Sequence, residues 1–154
     1  MSTIIPHLTV HDAAAAIEFY KKALGAEELS RMPGPDGRRI IHAALKIGDA
    51  TLFLADEFPE MPVPDACKSP KTLGGTTMTI HVNSPDVDKT FAAAVAAGAE
   101  VTMPVADMFW GDRYGRFRDP FGHLWSVATN QRQMTREEML AAAKKAFARP
   151  PQRK

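Results

Sequence analysis

An internal repeat constrains the fold of this 154-residue chain more than any other feature. Residues 8–28 resemble residues 80–100. Each segment has a short strand ending in valine, acidic residues at a helix start, an alanine-rich helix and the tripeptide Gly-Ala-Glu. A duplication of this length predicts two similar supersecondary units that pack on each other, because neither can bury its apolar face alone.

The repeat divides a single domain, residues 1–154, into four parts. We predict a first unit at about 4–57, a connector at about 58–73, a second unit at about 74–130 and a C-terminal helix at about 135–148. A chain of this length buries enough surface to fold without disulfides or a structural metal. Each unit is expected to have the element order βαβββ.

Side chains alternate in the first strand of each unit, and this period of two predicts one packed face and one polar face. The polar sets are His7 and Thr9 in the first unit and Thr79 and His81 in the second. Because the packed face must carry the helices, the polar sets are expected to line a cleft. We predict an α+β fold in which two βαβββ repeats form a strongly curved mixed sheet, with helices on its outer face plus the C-terminal helix.

Capping signals predict where the helices begin. Asp12 is expected to cap the first helix, and Ser84 the second, with Pro85 at its first helical position. Thr135 and Glu138 have the spacing of a capping box ahead of the C-terminal helix. The first two helices should cover one sheet face, and the third should pack on its own domain or on a second copy.

Charge and cysteine content exclude several function classes. The 19 basic and 18 acidic residues are scattered, which argues against the basic stripe of a nucleic-acid-binding protein. The single cysteine, Cys67, excludes an internal disulfide and suits a reducing compartment. No apolar run approaches the roughly 18 residues of a membrane span, and the N-terminus lacks signal-peptide features. We therefore expect a cytoplasmic protein without nucleic-acid or membrane partners.

Several phrases occur in an order and spacing that resemble a known family. They are Leu-Thr-Val-His-Asp to Phe-Tyr at 8–20, Ala-Gly-Ala at 97–99, Phe-Trp-Gly-Asp-Arg at 109–113 and Asp-Pro-Phe-Gly-His-Leu-Trp at 119–125. Over residues 4–130 the chain resembles the vicinal oxygen chelate superfamily of glyoxalase I, bleomycin-resistance proteins and extradiol dioxygenases, and within it the PhnB-like branch. The resemblance implies a homodimer and a cleft. Catalytic members hold a divalent metal there, whereas others bind a small molecule.

The positions that carry metal ligands in such relatives lack them here. The resemblance places them at Ile5, within 51–55, at Thr77 and at Ser126, where relatives typically have His, Glu, His and Glu. None of these side chains is an imidazole or a carboxylate, and hydroxyls are poor zinc or nickel ligands. We therefore predict no cofactor.

A shifted metal site is the alternative that the sequence leaves open. His7 and His81 lie on the same side of their strands as Ile5 and Thr77, and Glu57 or Asp56 at the end of the fourth strand could supply a carboxylate. Two imidazoles and one carboxylate form a reasonable set for one divalent metal ion.

The segment 104–118 predicts ligand contacts, because it places Trp110 near Arg113. An exposed aromatic beside arginine suits a flat or anionic small molecule. The alternative is that Trp110 is buried while Asp112 and Arg113 form a local ion pair. The complete set of predicted cleft residues is His7, Thr9, Thr79, His81, Trp110, Arg113 and Ser126.

Three function classes follow. The first is a metal-free, homodimeric small-molecule binding protein of the glyoxalase/bleomycin-resistance type. The second is a metal-dependent lyase, isomerase or dioxygenase that uses the shifted site of His7, His81 and Glu57. The third is a non-catalytic interaction protein in which the C-terminal helix is the working surface.

Overall fold

A computed structural model describes residues 4–148 of the chain. Its strands are β1 (His7–Val10), β2 (Glu27–Pro33), β3 (Ile40–Ile47), β4 (Ala50–Asp56), β5 (Thr79–Asn83), β6 (Glu100–Asp107), β7 (Asp112–Arg118) and β8 (Leu124–Asn130). Its helices are α1 (Ala13–Leu24), α2 (Pro70–Leu73), α3 (Val87–Ala96) and α4 (Arg136–Phe147). The predicted α+β class and the two βαβββ units are confirmed. No helix in the described range is long and apolar enough to cross a membrane.

Each unit forms its own mixed sheet. The strand orders are β1-β4-β3-β2 and β5-β8-β7-β6. In each sheet the first pair is parallel and the other pairs are antiparallel. Within residues 4–148 no ladder joins β1 to β5, so the strands expected to form one curved sheet hydrogen-bond as two sheets of four.

Helices α1 and α3 lie between the two sheets. Helix α1 packs on the first sheet, α3 packs on the second, and the two helices contact each other. One apolar cluster runs through all these layers and includes Leu8, Ile17, Phe91 and Val127. Helices α1 and α3 each cover one face of their own sheet, and the short helix α2 contacts β1. Each sheet therefore has one face buried on helices and one face, which we call its open face, directed away from them.

The helix starts agree with the predicted caps except at α3. The side chain of Asp12 accepts a hydrogen bond from the α1 backbone as predicted. Ser84 does not cap α3; the cap is Asp86, which accepts from the backbone N–H of Lys89 at 3.0 Å. The Ser84 hydroxyl instead accepts from the Asp86 N–H, which holds the turn before the helix and leaves Pro85 outside it.

Helix α4 begins with the predicted capping box, but it makes few contacts with the rest of the protein. Thr135 Oγ1 accepts from the Glu138 N–H, and the Glu138 carboxylate accepts from the Thr135 N–H. No residue of α4 is buried, and Leu140 and Phe147 are exposed. Its one aromatic contact places the Phe147 ring 5.7 Å from that of Phe109.

A buried carboxylate, Asp119, joins the two units. Its Oδ2 accepts from the Tyr20 hydroxyl at 2.7 Å and from Trp125 Nε1 at 2.8 Å. Its Oδ1 accepts from the backbone N–H groups of Phe121 and His123, both at 2.9 Å. Tyr20 belongs to α1, whereas Asp119 lies in the turn between β7 and β8. The carboxylate therefore fixes the first unit's helix to the second unit's sheet.

The burial of Tyr20 beside Asp119 makes the free energy of unfolding sensitive to alkaline pH. Burial first, and then the neighbouring Asp119 carboxylate, raise the pKa of Tyr20 well above its ordinary value. Above about pH 10 an unfolded tyrosine loses its proton while the folded one retains it, so the free energy of unfolding falls as pH rises. This contribution is fully present at neutral pH.

We expect urea unfolding between about pH 7 and pH 11 to show a shallower alkaline decline in Tyr20→Phe than in the wild type. Lysines titrate in the same range in both proteins, so the difference between the two curves isolates Tyr20. An equal decline in both proteins would contradict the raised pKa.

Candidate functional site

The open face of the first sheet carries three neighbouring rings, His7 from β1, His42 from β3 and Phe53 from β4. Their centroids are 4.7 Å apart for His42 and Phe53, 5.8 Å for the two histidines and 6.1 Å for His7 and Phe53. We call these three residues the first-sheet patch. Partial burial, and then the proximity of His42, lower the pKa of His7. The patch therefore presents an uncharged imidazole at neutral pH.

Strand alternation produces this arrangement in β1. Leu8 and Val10 are 1 % and 0 % exposed on the helix side. His7 and Thr9 have the opposite parity and lie on the open face, in the orientation that the sequence predicted.

The open face of the second sheet carries a corresponding group. The Tyr114 ring of β7 lies 6.2 Å from His81 of β5 and nearly parallel to it, and 5.5 Å from Trp110 in an edge-to-face contact. We call His81, Tyr114 and Trp110 the second-sheet patch. His81 is held at both nitrogens, with Nδ1 2.8 Å from Ser126 Oγ and Nε2 3.2 Å from Asn83 Oδ1.

Trp110 is oriented by the turn that precedes β7. Its Nε1 donates to Asp112 Oδ2 at 2.9 Å, and Asn130 Nδ2 donates to the other oxygen of Asp112 at 2.8 Å. The local ion pair between Asp112 and Arg113 is therefore not formed. Gly111 closes the turn with a φ of 98°. The half-buried indole is thus held beside Tyr114 rather than within the core.

The structure corrects the expectation that Arg113 lines the cleft. Alternation along β7 directs Arg113 to the helix side, where its guanidinium pairs with Asp88 at 2.7 and 2.9 Å and with Asp107 at 3.1 Å. Arg116, which shares the parity of Tyr114, lies on the open face. Its Nη2 donates to Thr79 Oγ1 at 3.1 Å.

A crevice of about 590 Å³ lies between the adjoining margins of the two sheets. Pro6 and Leu52 line it from the first unit, and Ile80, His81 and Asn83 line it from the second. Because His81 belongs to the second-sheet patch, the crevice adjoins that patch.

Comparison with known proteins identifies the family. The Glyoxalase/Bleomycin resistance protein/Dioxygenase superfamily matches residues 4–127. The chain belongs to this superfamily. This confirms the resemblance found in the sequence motifs.

Individual relatives agree with this membership. The Mycobacterium tuberculosis protein Rv0887c is 50% identical over 137 residues, which cover 89% of this chain and 79% of the relative. The structure of TioX from Micromonospora sp. ML1 superposes with a TM-score of 0.67 at 29% identity, covering 84% of this chain and 99% of TioX. The PhnB protein from Bacillus cereus shares the fold, with a TM-score of 0.63 at 17% identity over 83% of this chain and 99% of its own.

Within the described residues of one chain of this superfamily member, no set of side chains fits a divalent metal. Among residues 4–148 no three His, Cys, Asp or Glu side chains are grouped to hold an ion. The Ser126 hydroxyl, at a position where the resemblance implies a metal ligand in relatives, contacts His81. His7, His81 and Glu57 therefore do not form the shifted metal site within one chain.

Glu57 is engaged elsewhere. Its Oε2 accepts from the hydroxyls of Ser69 at 2.7 Å and Thr72 at 2.8 Å, which ties the connector to the end of β4. Burial raises the pKa of Glu57, but these hydrogen bonds outweigh it and the net pKa is lowered. The side chain is thus a structural acceptor.

The predicted set of cleft residues did not include His42, Phe53, Tyr114, Arg116 and Asn83. The period-two pattern in 112–118 could have found Tyr114 and Arg116, because both share parity on that strand. His42 and Phe53 needed the observed register of β3 and β4, which pairs Phe53 with the alanine two residues after His42. A bulge in the β2–β3 pairing near Ile40 interrupts the alternation of buried and open residues in β3, so the sequence does not show which face His42 occupies.

Proposed function

We propose that this protein binds small molecules between the first-sheet patch of one copy and the second-sheet patch of another. The observation that carries the proposal is that the two patches occupy corresponding positions in the two units. His7 lies opposite Phe53 in β4, as His81 lies opposite Ser126 in β8. By the same register, His42 of β3 corresponds to Tyr114 of β7.

The chemistry of the patches favours a flat, largely apolar ligand with polar substituents. Sites for small organic molecules combine aromatic walls with a few fixed polar groups. Each patch presents ring faces and edges, and aromatic rings prefer centroid separations of about 4.5–7 Å. Beside the second-sheet patch, the Ser126 hydroxyl and the Asn83 side-chain oxygen are fixed polar groups, because each is hydrogen-bonded to His81.

The proposal includes a homodimer. Because α1 and α3 separate the two sheets, the patches of one chain are directed away from each other and cannot enclose a ligand together. A twofold-related second copy can place the first-sheet patch of each chain against the second-sheet patch of the other, and symmetry then forms two identical sites. The unpaired margins of β1 and β5 provide strand edges at which the copies can meet.

We expect at least one flat two-ring compound among 2-naphthamide, 2-naphthoate and 2-naphthylmethylamine to quench tryptophan fluorescence saturably. Tyr114→Ala should weaken that binding by about 5- to 30-fold, because ring stacking and apolar burial together contribute roughly 1–2 kcal/mol. Fluorescence titration of both proteins measures the ratio.

Phe58→Ala is the matched control. Phe58 is a half-buried aromatic of the connector that packs against Arg39, so its loss should leave the titration unchanged. Sedimentation velocity should show a dimer. Failure of all three compounds to bind, or binding by a protein that remains monomeric, would contradict the proposed function.

A further inference from the structure

Arg116 differs from the other arginines of its strand. Arg113 pairs with two aspartates, and Arg118 pairs with Glu100 at 2.8 Å. Among residues 4–148 no carboxylate pairs with Arg116. The one hydrogen bond of its side chain goes from Nη2 to the neutral hydroxyl of Thr79, and its Nε is enclosed by protein with no partner.

The carboxylates that share the open face with Arg116 are engaged elsewhere. Asp112 accepts from Trp110 and Asn130, and Glu100 accepts from Arg118. The positive charge of Arg116 is therefore not compensated by an ion pair within the described chain.

An uncompensated guanidinium on an open face is suited to an anionic ligand. Its planar fork matches a carboxylate, and charge-assisted hydrogen bonds are about twice as strong as neutral ones. Desolvating the cation and leaving an enclosed N–H unpaired both cost free energy in the free protein. A bound anion would offset the electrostatic part of that cost.

We infer that the ligand is a flat aromatic anion, whose ring lies against Tyr114 and whose acidic group pairs with Arg116. This inference rests on the proposed binding function and adds the class of ligand. The two residues lie on the same face of β7, two positions apart, which is about 6.6 Å along a strand. That spacing suits an aromatic acid in which the charged group is attached directly to the ring system.

The test compares 2-naphthoate with 2-naphthamide, which has the same shape and no charge. We expect the wild type to bind the naphthoate at least about tenfold more tightly, the factor that a charge-assisted hydrogen bond supplies. Arg116→Gln should abolish that preference, because it removes the charge-assisted pair with naphthoate and weakens naphthoate binding far more than naphthamide binding. Arg118→Gln is the matched control, because Arg118 lies on the same strand and face but is already paired with Glu100.

Each outcome decides the inference. Equal affinity of the wild type for the two compounds, or an unchanged preference in Arg116→Gln, would overturn it while leaving the proposed function in place. Loss of the preference in Arg118→Gln as well would show that general surface charge causes the preference, and this result would also overturn the inference. Failure of the wild type to bind either compound overturns this inference, and the proposed function fails as well if 2-naphthylmethylamine does not bind. Arg116→Lys, which keeps the cation without the fork, should retain part of the preference and provides a second variant if Arg116→Gln does not fold.

Discussion

Asp119→Ala is expected to lower the free energy of unfolding by about 3–5 kcal/mol. The substitution removes one carboxylate that accepts four hydrogen bonds, two from side chains and two from the backbone. Tyr20 and Trp125 are both 0 % exposed, so neither their donors nor the turn can recover these bonds with water. Urea unfolding followed by far-UV circular dichroism measures the loss.

The control for this prediction is Asp12→Ala, which makes the same chemical change at an exposed helix cap. Asp12 accepts one backbone N–H at 2.9 Å, so its loss should cost only about 1 kcal/mol. If the two variants were equally stable, Asp119 would not be the joint between the units. A large effect confined to Asp119 would show that this buried carboxylate and its four hydrogen bonds stabilise the chain far more than an exposed helix cap does.

Gly111→Ala is expected to lower the free energy of unfolding by about 2–4 kcal/mol and to weaken aromatic ligand binding. The residue has a φ of 98°, a conformation that side chains rarely adopt, and an added Cβ would lie 2.3 Å from the carbonyl oxygen of Arg132. The Gly111 carbonyl also accepts from the N–H groups of Gln131 and Arg132. The substitution therefore displaces the turn that holds Trp110 beside Tyr114.

Gly37→Ala separates the two causes in this prediction. Gly37 has a φ of 68° and open space around its Cα, so alanine there meets only backbone strain, about 1 kcal/mol. Urea unfolding of both variants, and titration with the naphthalene compound that binds the wild type, distinguish backbone strain from the clash with the Arg132 carbonyl. A Gly111→Ala protein as stable and as active in binding as Gly37→Ala would show that the turn adjusts without moving Trp110.

The strand faces of the candidate site were predictable where alternation is regular. In β1 and β5 the apolar residues mark the buried parity, so His7, Thr9, Thr79 and His81 were placed on the open side. Arg113 was misplaced because it was taken with the aromatic turn, whereas the alternation of β7, in which Phe117 is buried, directs it to the helix side. Its pairing with Thr129, whose hydroxyl contacts the start of α3, and its hydrogen bonds to Asp88 of α3 agree with that side.

The metal positions illustrate a second limit. The absence of imidazole and carboxylate at Ile5, Thr77 and Ser126 can be read from the residues alone, because it concerns side-chain chemistry. Whether His7, His81 and Glu57 lie close enough to share a metal ion depends on distances between distant segments. The tertiary structure decides it, because Ser69 and Thr72 of the connector hold the Glu57 carboxylate.

The sequence by itself determined the duplicated βαβββ units, the caps of α1 and α4, and the alternation that places the polar residues of β1 and β5 on the open faces. Each of these depends on periodicity or on hydrogen bonds between residues close in the chain. Tertiary structure alone decided that α1 and α3 lie between the sheets, so that the two aromatic patches are directed apart, and that Arg116 rather than Arg113 lies on the open face. These features depend on packing and strand register between distant segments, where many local arrangements satisfy the same pattern of apolar residues.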